Sequence, residues 1–456
     1  PDLSEIIVEE ENTKYSSADG VLYNKSGTEL LCCPAGKQGN IVIPDGVEDI
    51  GGDTKRGRSP FYNCSGVTSI AIPASVAEMG KKYIDEEIYC EASVFIECSG
   101  LKEIKVSQEN DSYSSSDGLL YRNSPNSSES RKTLVCCLAG KEGGVIVPEG
   151  VTDIGDMAFR DCAGMTSVTL PQSVDYFEGD YDNNYIWAFK NCSSLEEIII
   201  AEGCQEYSSL DGLLYNGKGT RLLYCPPGKK GIVEIEDGVI GIARKAFSGC
   251  CKLEAINVDR NNGMYGSVDG LLYQKSGGAL NSLVCCPAGK TGCAAVADGV
   301  KEIDSSAFYG CSSLTEVTIP KSVTSIGYYG EDIFEECGDV FMIRCAKGSY
   351  AEGYAKENGI PYEITKRTQT ITASDFVKAV GDAPFAINAS TDGDGALSYE
   401  SSDDSVASVS RDGTVTVKGV GTARITIRAA GTEGYEAAEK TITVTVNPHS
   451  DMLPIW

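Results

Sequence analysis

Short runs of alternating apolar and polar residues recur along the first 364 residues of the chain. The runs at 167–170 (SVTL) and 316–319 (EVTI) are each stopped by a proline, and an apolar ladder of Leu, Val, Ile and Phe accompanies them. Alternation with a period of two is typical of a strand that buries one face. The pattern therefore predicts many short strands with one face in a core.

A second pattern, F-x-x-C, occurs seven times and reveals a repeat. Its phenylalanines are Phe61, Phe95, Phe159, Phe189, Phe247, Phe308 and Phe334. Three of the steps between them, of 34, 30 and 26 residues, each become 23 once 11, 7 and 3 inserted residues are removed. A unit of this size cannot bury its own apolar face, so the units are expected to stack into a solenoid with a continuous core.

A third pattern, DG-(V/L)-LY, occurs four times and predicts a hairpin. It ends at Tyr23, Tyr121, Tyr215 and Tyr273, and a relative of CCPAGK follows each copy. The segment 21–33, VLYNKSGTELLCC, has the sequence of two strands joined by a glycine-containing turn. A redox or metal role for the vicinal cysteines is not favoured, because Tyr224 replaces the first of them in the third copy. We expect one member of each pair to face the core and its neighbour to face away.

The repeats resemble a known family. The segments 150–174 (GVTDIGDMAFRDCAGMTSVTLPQSV) and 299–323 (GVKEIDSSAFYGCSSLTEVTIPKSV) are similar to the BspA-type leucine-rich repeat of bacterial cell-surface proteins, over about residues 1–364. The resemblance implies a β-rich, curved leucine-rich-repeat solenoid with a parallel concave sheet, here with hairpin insertions, and a role in surface attachment or host interaction. Residues 349–364 depart from the pattern and predict a C-terminal cap, with Ser349 as helix N-cap and Gly359 at the helix end.

A different domain is predicted at 367–448. Cysteine and F-x-x-C disappear, and residues 398–431 alternate apolar and polar positions between Asp-Gly and Gly-x-Gly turns, as in an all-β sandwich. The segments SSDDSVASV, DGTVTVKGVGTARITIRA and TITVTVNP resemble the bacterial immunoglobulin-like domain of group 2, which implies a stalk or adhesion module outside the cell. Residues 449–456 are interpreted as a tail.

Charge and cysteine content narrow the functional classes. The formal charge of −27 opposes binding to nucleic acid or to an anionic membrane surface. No apolar run reaches the roughly 18 residues of a membrane span. Nineteen cysteines without any C-x-x-C spacing indicate neither a disulfide framework nor a zinc ribbon. The F-x-x-C cysteines occupy one phase of the repeat and are expected to form a ladder of buried thiols rather than of disulfides.

Catalysis is not expected. His449 is the only histidine and lies in the predicted tail, so Ser-His-Asp and Cys-His mechanisms lack a base. Two carboxylates suffice for glycoside hydrolysis, but the acidic residues lie mainly on turns such as 44–47 (PDGV). The segments 392–395 (DGDG) and 180–184 (DYDNN) match Asx-rich turns and not a calcium loop. We therefore predict a non-enzymatic protein without metal or cofactor.

Insertions suggest where a ligand binds. Four of them enter at the same phase of the repeat, at 52–59, 81–93, 179–187 and 328–332. Solenoids often bind along the face that carries insertions, and Tyr and Trp are common interface anchors. The candidate ligand-binding residues are Tyr83, Tyr89, Tyr181, Tyr185, Trp187, Tyr328 and Tyr329. Two alternatives stay open: solvent loops accept insertions freely, and Trp187 adjoins the Ala-Phe pair and could belong to the core.

The sequence thus predicts a secreted or surface-attached bacterial protein that adheres to a host matrix protein, a host cell or a glycan through its repeats. The alternative is a stalk or carbohydrate-binding segment of a larger surface enzyme.

Overall fold

The computed structural model describes residues 2–51, 59–80, 83–84, 87–88, 94–95, 98–124, 130–178, 186–327, 333–334, 336–338 and 340–449. The chain forms two compact units. The first contains Pro1–Gly292, Ile303–Leu314 and Gly327–Asp339, and the second contains Cys293–Glu302, Thr315–Ile326 and Val340–Trp456. The domain limits proposed from the sequence, at 364 and 367, stay predictions.

The longer parallel strands follow the alternating runs of the sequence, as predicted. They form four sheets, in the orders Gly39–Val42, Val67–Ile72 and Glu103–Val106; Gly143–Ile146, Met165–Leu170 and Glu197–Ile200; Gly231–Ile235 and Leu253–Val258; and Gly292–Ala295, Leu314–Ile319, Met342–Cys345 and Tyr362–Ile364. In the second sheet Val168 pairs with Val145 on one side and with Ile198 on the other. Val168 and Ile198 are fully buried, so the predicted inward face is confirmed.

The F-x-x-C phenylalanines form the core of the repeats. All seven are buried. The rings of Phe61 and Phe95 are 5.8 Å apart between centroids, and those of Phe159 and Phe189 are 5.2 Å apart and nearly parallel. Equivalent phenylalanines of neighbouring units thus stack on each other, as expected for a core built from repeats.

Three antiparallel strands form each of the four hairpin regions. They are Tyr15–Ala18, Val21–Asn24 and Leu30–Cys32; Tyr113–Ser116, Leu119–Ser124 and Arg131–Cys137; Tyr207–Leu210, Leu213–Asn216 and Arg221–Tyr224; and Tyr265–Val268, Leu271–Ser276 and Ala279–Cys285. The second and third strands confirm the predicted hairpin, whereas the first strand was not predicted. Asp211 and Gly212 join the first two strands with positive φ values of 50° and 76°, as the tight Asp-Gly turn of a two-residue hairpin requires.

The second and third hairpins each lie between two cores, and this corrects the prediction for the vicinal cysteines there. In the second copy, Leu120 and Cys136 belong to the preceding core cluster, while Leu119 and Cys137 belong to the following one. Cys136 is 8% exposed and does not face solvent. Tyr224, at the same position of the third copy, is also buried, and its ring lies 5.5 Å from that of Phe189. The prediction that this residue faces away was wrong there because both faces of the hairpin are covered.

Buried asparagines support the chain where it enters a hairpin region. The Asn110 amide donates to the carbonyls of Pro73 and Val76, at 2.8 and 2.9 Å, and its side-chain oxygen accepts from the amides of Ser112 and Tyr113. Asn262 makes the same four hydrogen bonds in the fourth copy. One side chain thus satisfies four backbone groups that would otherwise be buried without partners.

Short strands complete the repeats. They are Asp49–Ile50, Glu78–Met79, Asp153–Ile154, Tyr176–Phe177, Gly241–Ile242, Glu302–Ile303 and Ser325–Ile326, together with the antiparallel pair Tyr83–Ile84 and Glu87–Ile88. The predicted cap helix is Tyr350–Glu357. The Ser349 hydroxyl accepts from the amide of Glu352, and the positive φ of Gly359 follows the helix end.

The C-terminal strands form a β-sandwich. They are Ile371–Thr372, Phe376–Ala379, Phe385–Ala386, Ser390–Thr391, Leu397–Ser401, Ala407–Val409, Thr414–Val417, Gly421–Ala429 and Ala438–Asn447. The last two strands pair antiparallel over nine residues, and their inward residues, such as Ile425 and Val444, are fully buried. Phe376–Ala379 pairs parallel with Ala438–Asn447, which the sequence pattern did not indicate.

Candidate binding edge

The first two insertions leave the repeat side by side. Asp49–Ile50 and Glu78–Met79 are parallel partners in register, and the Gly80 amide donates to the Ile50 carbonyl at 3.2 Å. The insertions 52–59 and 81–93 follow these two strands directly. The chain returns to the core at Phe61 and Phe95, whose rings stack on each other. Both insertions therefore begin and end at adjacent positions.

The third insertion leaves from an equivalent point. Ile154 pairs with Phe177, and the Glu178 amide donates to the Ile154 carbonyl at 2.8 Å. The Glu178 carboxylate, the last described group before the insertion, binds the Arg122 guanidinium at 2.6 Å. The hairpin thus anchors the chain at the point where the insertion begins.

Trp187 is solvent-exposed and is not a core residue. Its flanking residues Ile186 and Ala188 are buried, whereas 37% of Trp187 is exposed. The Lys190 ammonium lies 5.2 Å from the centre of its ring, within the range of a cation–π contact. The indole is therefore available for contact with a partner beside a positive charge.

An arginine bridges two acidic side chains at the opposite end of these short strands. Arg131 binds the largely buried Asp153 and the more exposed Asp175, each at 2.5 Å, and these carboxylates raise the pKa of the guanidinium. Together with Tyr176 and Glu206 they line a shallow depression of about 560 Å³. Sequence reasoning missed this cluster, because Arg131 and Asp175 are 44 positions apart and only the strand register brings them together.

The described residues contain no grouping of three or more His, Cys, Asp and Glu side chains that could hold a metal ion. Among the described residues, no helix is long and apolar enough to cross a membrane.

Comparison with known families decides what the repeats are. Six copies of the BspA type leucine rich repeat region match residues 35–117, 143–210 and 294–351. These residues are BspA-type leucine-rich repeats. The immunoglobulin-like domain of intimin matches residues 386–431, which confirms an immunoglobulin-like C-terminal domain. That match is to the intimin domain, and assignment to group 2 stays a prediction.

Several solved structures resemble the chain at low sequence identity. A leucine rich cell surface protein from Faecalibacterium prausnitzii is 20% identical, with 75% of this chain and 78% of that chain covered and a TM-score of 0.33. A leucine-rich repeat protein from Eubacterium ventriosum is 16% identical, with coverages of 78% and 72% and a TM-score of 0.32. The pneumococcal vaccine antigen PcpA is 15% identical, with coverages of 80% and 100% and a TM-score of 0.37. No curated protein matches the chain.

Most of the predicted ligand-binding residues of the BspA-type repeats lie outside the described residues. These are Tyr89, Tyr181, Tyr185, Tyr328 and Tyr329. The backbone of Tyr83 lies in the strand Tyr83–Ile84, which pairs with Glu87–Ile88. Trp187 is the one candidate whose side chain is described, and the binding role of all seven stays a prediction.

Proposed function

We propose that this protein is a non-enzymatic binding protein, secreted or attached to the bacterial surface, that adheres to a host matrix protein, a host cell or a glycan through its BspA-type repeats. The immunoglobulin-like domain then acts as a stalk or adhesion module. The parallel pairing of Asp49–Ile50 with Glu78–Met79 supports this most, because it makes two insertions neighbours on one edge. Solenoids commonly bind along such an edge.

Aromatic side chains give the edge its chemistry. Tyr and Trp combine a large apolar surface with a hydrogen-bonding group, so they anchor protein interfaces and stack on sugar rings. Trp187 is exposed beside Lys190, which adds a cation to an otherwise acidic protein. The overall charge of −27 favours a neutral or basic partner over an anionic one.

The first experiment is a binding array of purified matrix proteins and glycans, probed with the full chain at physiological ionic strength. In a second step, each insertion is replaced by the two-residue turn Asp156-Met157 of the uninterrupted unit, which restores the shortest repeat present in the chain itself. We expect these replacements to weaken binding to each ligand at least tenfold. A matched control changes Tyr15 and Tyr350 to serine, because these exposed tyrosines lie outside the insertions.

Unchanged binding in all insertion variants would contradict the edge as the binding surface. Binding to glycans alone, independent of the insertions, would favour the carbohydrate-binding segment of a larger enzyme. A parent chain that binds nothing on the array would contradict the adhesion proposal for those ligands. Labelling of intact cells with an antibody against the repeats tests the surface location separately.

A further inference from the structure

Four pairs of buried cysteines repeat through the chain. Each pair joins the second cysteine of a hairpin to the F-x-x-C cysteine of the next unit: Cys33 with Cys64, Cys137 with Cys162, Cys225 with Cys250, and Cys286 with Cys311. In each pair both sulfurs lie within 3.9 Å of the same backbone carbonyl oxygen. The pairing therefore runs between two elements of the repeat, and not along the ladder of F-x-x-C cysteines.

The geometry of the pairs is the same in all four copies. Both thiols donate to a single carbonyl oxygen, that of the residue after the hairpin cysteine. In the second copy, Cys137 and Cys162 lie 3.8 and 3.6 Å from the Leu138 oxygen. In the first copy, Cys33 and Cys64 lie 3.8 and 3.7 Å from the Pro34 oxygen. In the third copy, Cys225 and Cys250 lie 3.9 and 3.5 Å from the Pro226 oxygen, and in the fourth, Cys286 and Cys311 each lie 3.9 Å from the Pro287 oxygen. Two thiols that donate to one oxygen are held near each other by the same backbone group.

A backbone hydrogen bond holds each pair together independently of the thiols. The Cys137 amide donates to the Ala158 carbonyl at 2.6 Å, four residues before Cys162. The amides of Cys33, Cys225 and Cys286 make the equivalent bond at 2.7, 2.8 and 2.7 Å. The separation within a pair is 25 residues in three copies and 31 in the first, where the insertion 52–59 adds six.

All four copies contain both cysteines of the pair, whereas the residue before the hairpin cysteine varies. Tyr224 replaces the first cysteine of the vicinal doublet in the third copy, yet Cys225 and Cys250 are both present. In the units that do not follow a hairpin, the F-x-x-C thiols of Cys98 and Cys192 donate instead to the carbonyls of Phe61 and Phe159, at 3.1 and 3.0 Å. Two cysteines thus occur together wherever a hairpin cysteine and an F-x-x-C cysteine share one carbonyl acceptor.

We propose that these four pairs close into four intramolecular disulfides during oxidative folding, each tying a hairpin to the next repeat. The co-reactant is a disulfide, either of a thiol–disulfide oxidoreductase or of a small molecule. One cysteine thiolate attacks the co-reactant, forms a mixed disulfide and releases one thiol. The partner thiolate then attacks the mixed disulfide, the protein S–S bond forms and the second thiol leaves. Each pair of thiols loses two electrons and two protons, and both are taken up by the co-reactant, which is reduced to two thiols.

The disulfides are expected to form during folding and not in the folded protein. All eight cysteines are at most 3% exposed. The partner thiol and burial raise the pKa of Cys162, Cys250 and Cys311, so the attacking thiolate is scarce once the repeat has closed. Disulfides formed earlier are then enclosed in the core, away from reductants.

The test is refolding of the full chain, reduced and denatured, into a buffer of reduced and oxidised glutathione. A parallel sample refolds with reductant only. Both are then alkylated in denaturant, and the intact mass and the peptide map are measured. We expect eight of the nineteen cysteines to escape alkylation in the oxidised sample and none in the reduced one. The map should show the four proposed links, with fragmentation between vicinal residues assigning Cys137 rather than Cys136.

Two variants provide matched controls in the same phase of the repeat. Cys162→Ala should abolish one link and expose Cys137 to alkylation, while Cys192→Ala should leave all four links intact. Alkylation of all nineteen cysteines after oxidative refolding would overturn the proposal, as would links within the vicinal doublets or among the F-x-x-C cysteines. The map of the parent chain decides the matter even where a variant fails to fold.

Discussion

Phe189 tests whether the stacked phenylalanines stabilise the repeats. Its side chain is fully buried, and its ring centre lies 5.2 Å from that of Phe159, 5.5 Å from Tyr224 and 6.2 Å from Phe177. Removing a buried phenylalanine to alanine generally costs about 3 to 5 kcal/mol. Three aromatic neighbours on different elements place Phe189→Ala near the upper end, because the surrounding residues cannot all move in to fill the cavity.

Phe189→Leu is the matched variant. It keeps most of the side-chain volume and loses the ring contacts, so we expect it to lower the free energy of unfolding by about 1 to 2 kcal/mol. The difference between the leucine and alanine variants then measures the cavity, and the difference between leucine and the parent measures the ring contacts. A double variant with Phe159→Leu would show whether the two rings act together.

Urea unfolding followed by tryptophan fluorescence is the assay. The chain has two tryptophans, and in a Trp456→Phe background the signal comes from Trp187, two residues from the mutation. Circular dichroism of the same samples shows whether the units unfold in one transition. A free energy of unfolding of Phe189→Ala within half a kcal/mol of the parent, with an unchanged denaturant slope, would refute the reasoning that the stacked phenylalanines stabilise the core.

Three further predictions concern polar groups. Asn110→Ala should lower the free energy of unfolding by about 2 to 4 kcal/mol, since buried backbone groups lose their partners, and equal urea midpoints for parent and alanine variant would contradict this. Asn110→Asp keeps an acceptor for Ser112 and Tyr113 but places a second oxygen against the Pro73 and Val76 carbonyls, so it should be destabilising as well. Asp211→Val should cost about 1 to 2 kcal/mol at its positive φ, whereas Asp211→Asn should be nearly neutral, and thermal denaturation distinguishes them. Burial and the nearby Glu178 carboxylate raise the pKa of Asp156 in the folded protein above its ordinary value. The folded state therefore loses stability as the pH rises from the ordinary pKa of an aspartate to the raised pKa of Asp156. Asp156→Asn should therefore raise the urea midpoint at pH 7 and lose this advantage below about pH 3, and an equal gain at both pH values would exclude titration as the cause.

Sequence periodicity predicted the repeating parts of the fold well. The parallel strands, the phenylalanine core and the hairpin follow from patterns that recur in phase, because each copy packs against another copy of itself. The first strand of each hairpin region escaped notice since it is polar, as in Tyr113–Ser116. It is held by a serine hydroxyl, with Ser115 accepting from the Val106 amide at 3.0 Å and Ser209, in the third copy, from the Ile200 amide at the same distance. Alternation of apolar residues cannot reveal a strand fixed in this way.

The candidate binding edge was less predictable for a related reason. Insertions do not repeat, so the pattern determines where each begins and ends but not what its side chains contact. Trp187 illustrates this: its position beside the Ala-Phe pair left a core assignment open, and the structure shows it 37% exposed. The acidic cluster around Arg131 has no signature in the sequence at all, because its members meet through the pairing of short strands.

The hairpins explain how such a repeat protein can vary at one edge and remain cooperative elsewhere. Leu119 and Leu120 are adjacent in one strand, yet they belong to different core clusters, so opening either core removes apolar contacts of the same hairpin. Neighbouring units are therefore coupled through a shared element as well as through their contact surface. The insertions, by contrast, begin after hydrogen-bonded strand pairs and end before stacked phenylalanines. Ser59, the last residue of the first insertion, donates to the Val94 carbonyl of the next unit, so this end of the insertion also joins the two units.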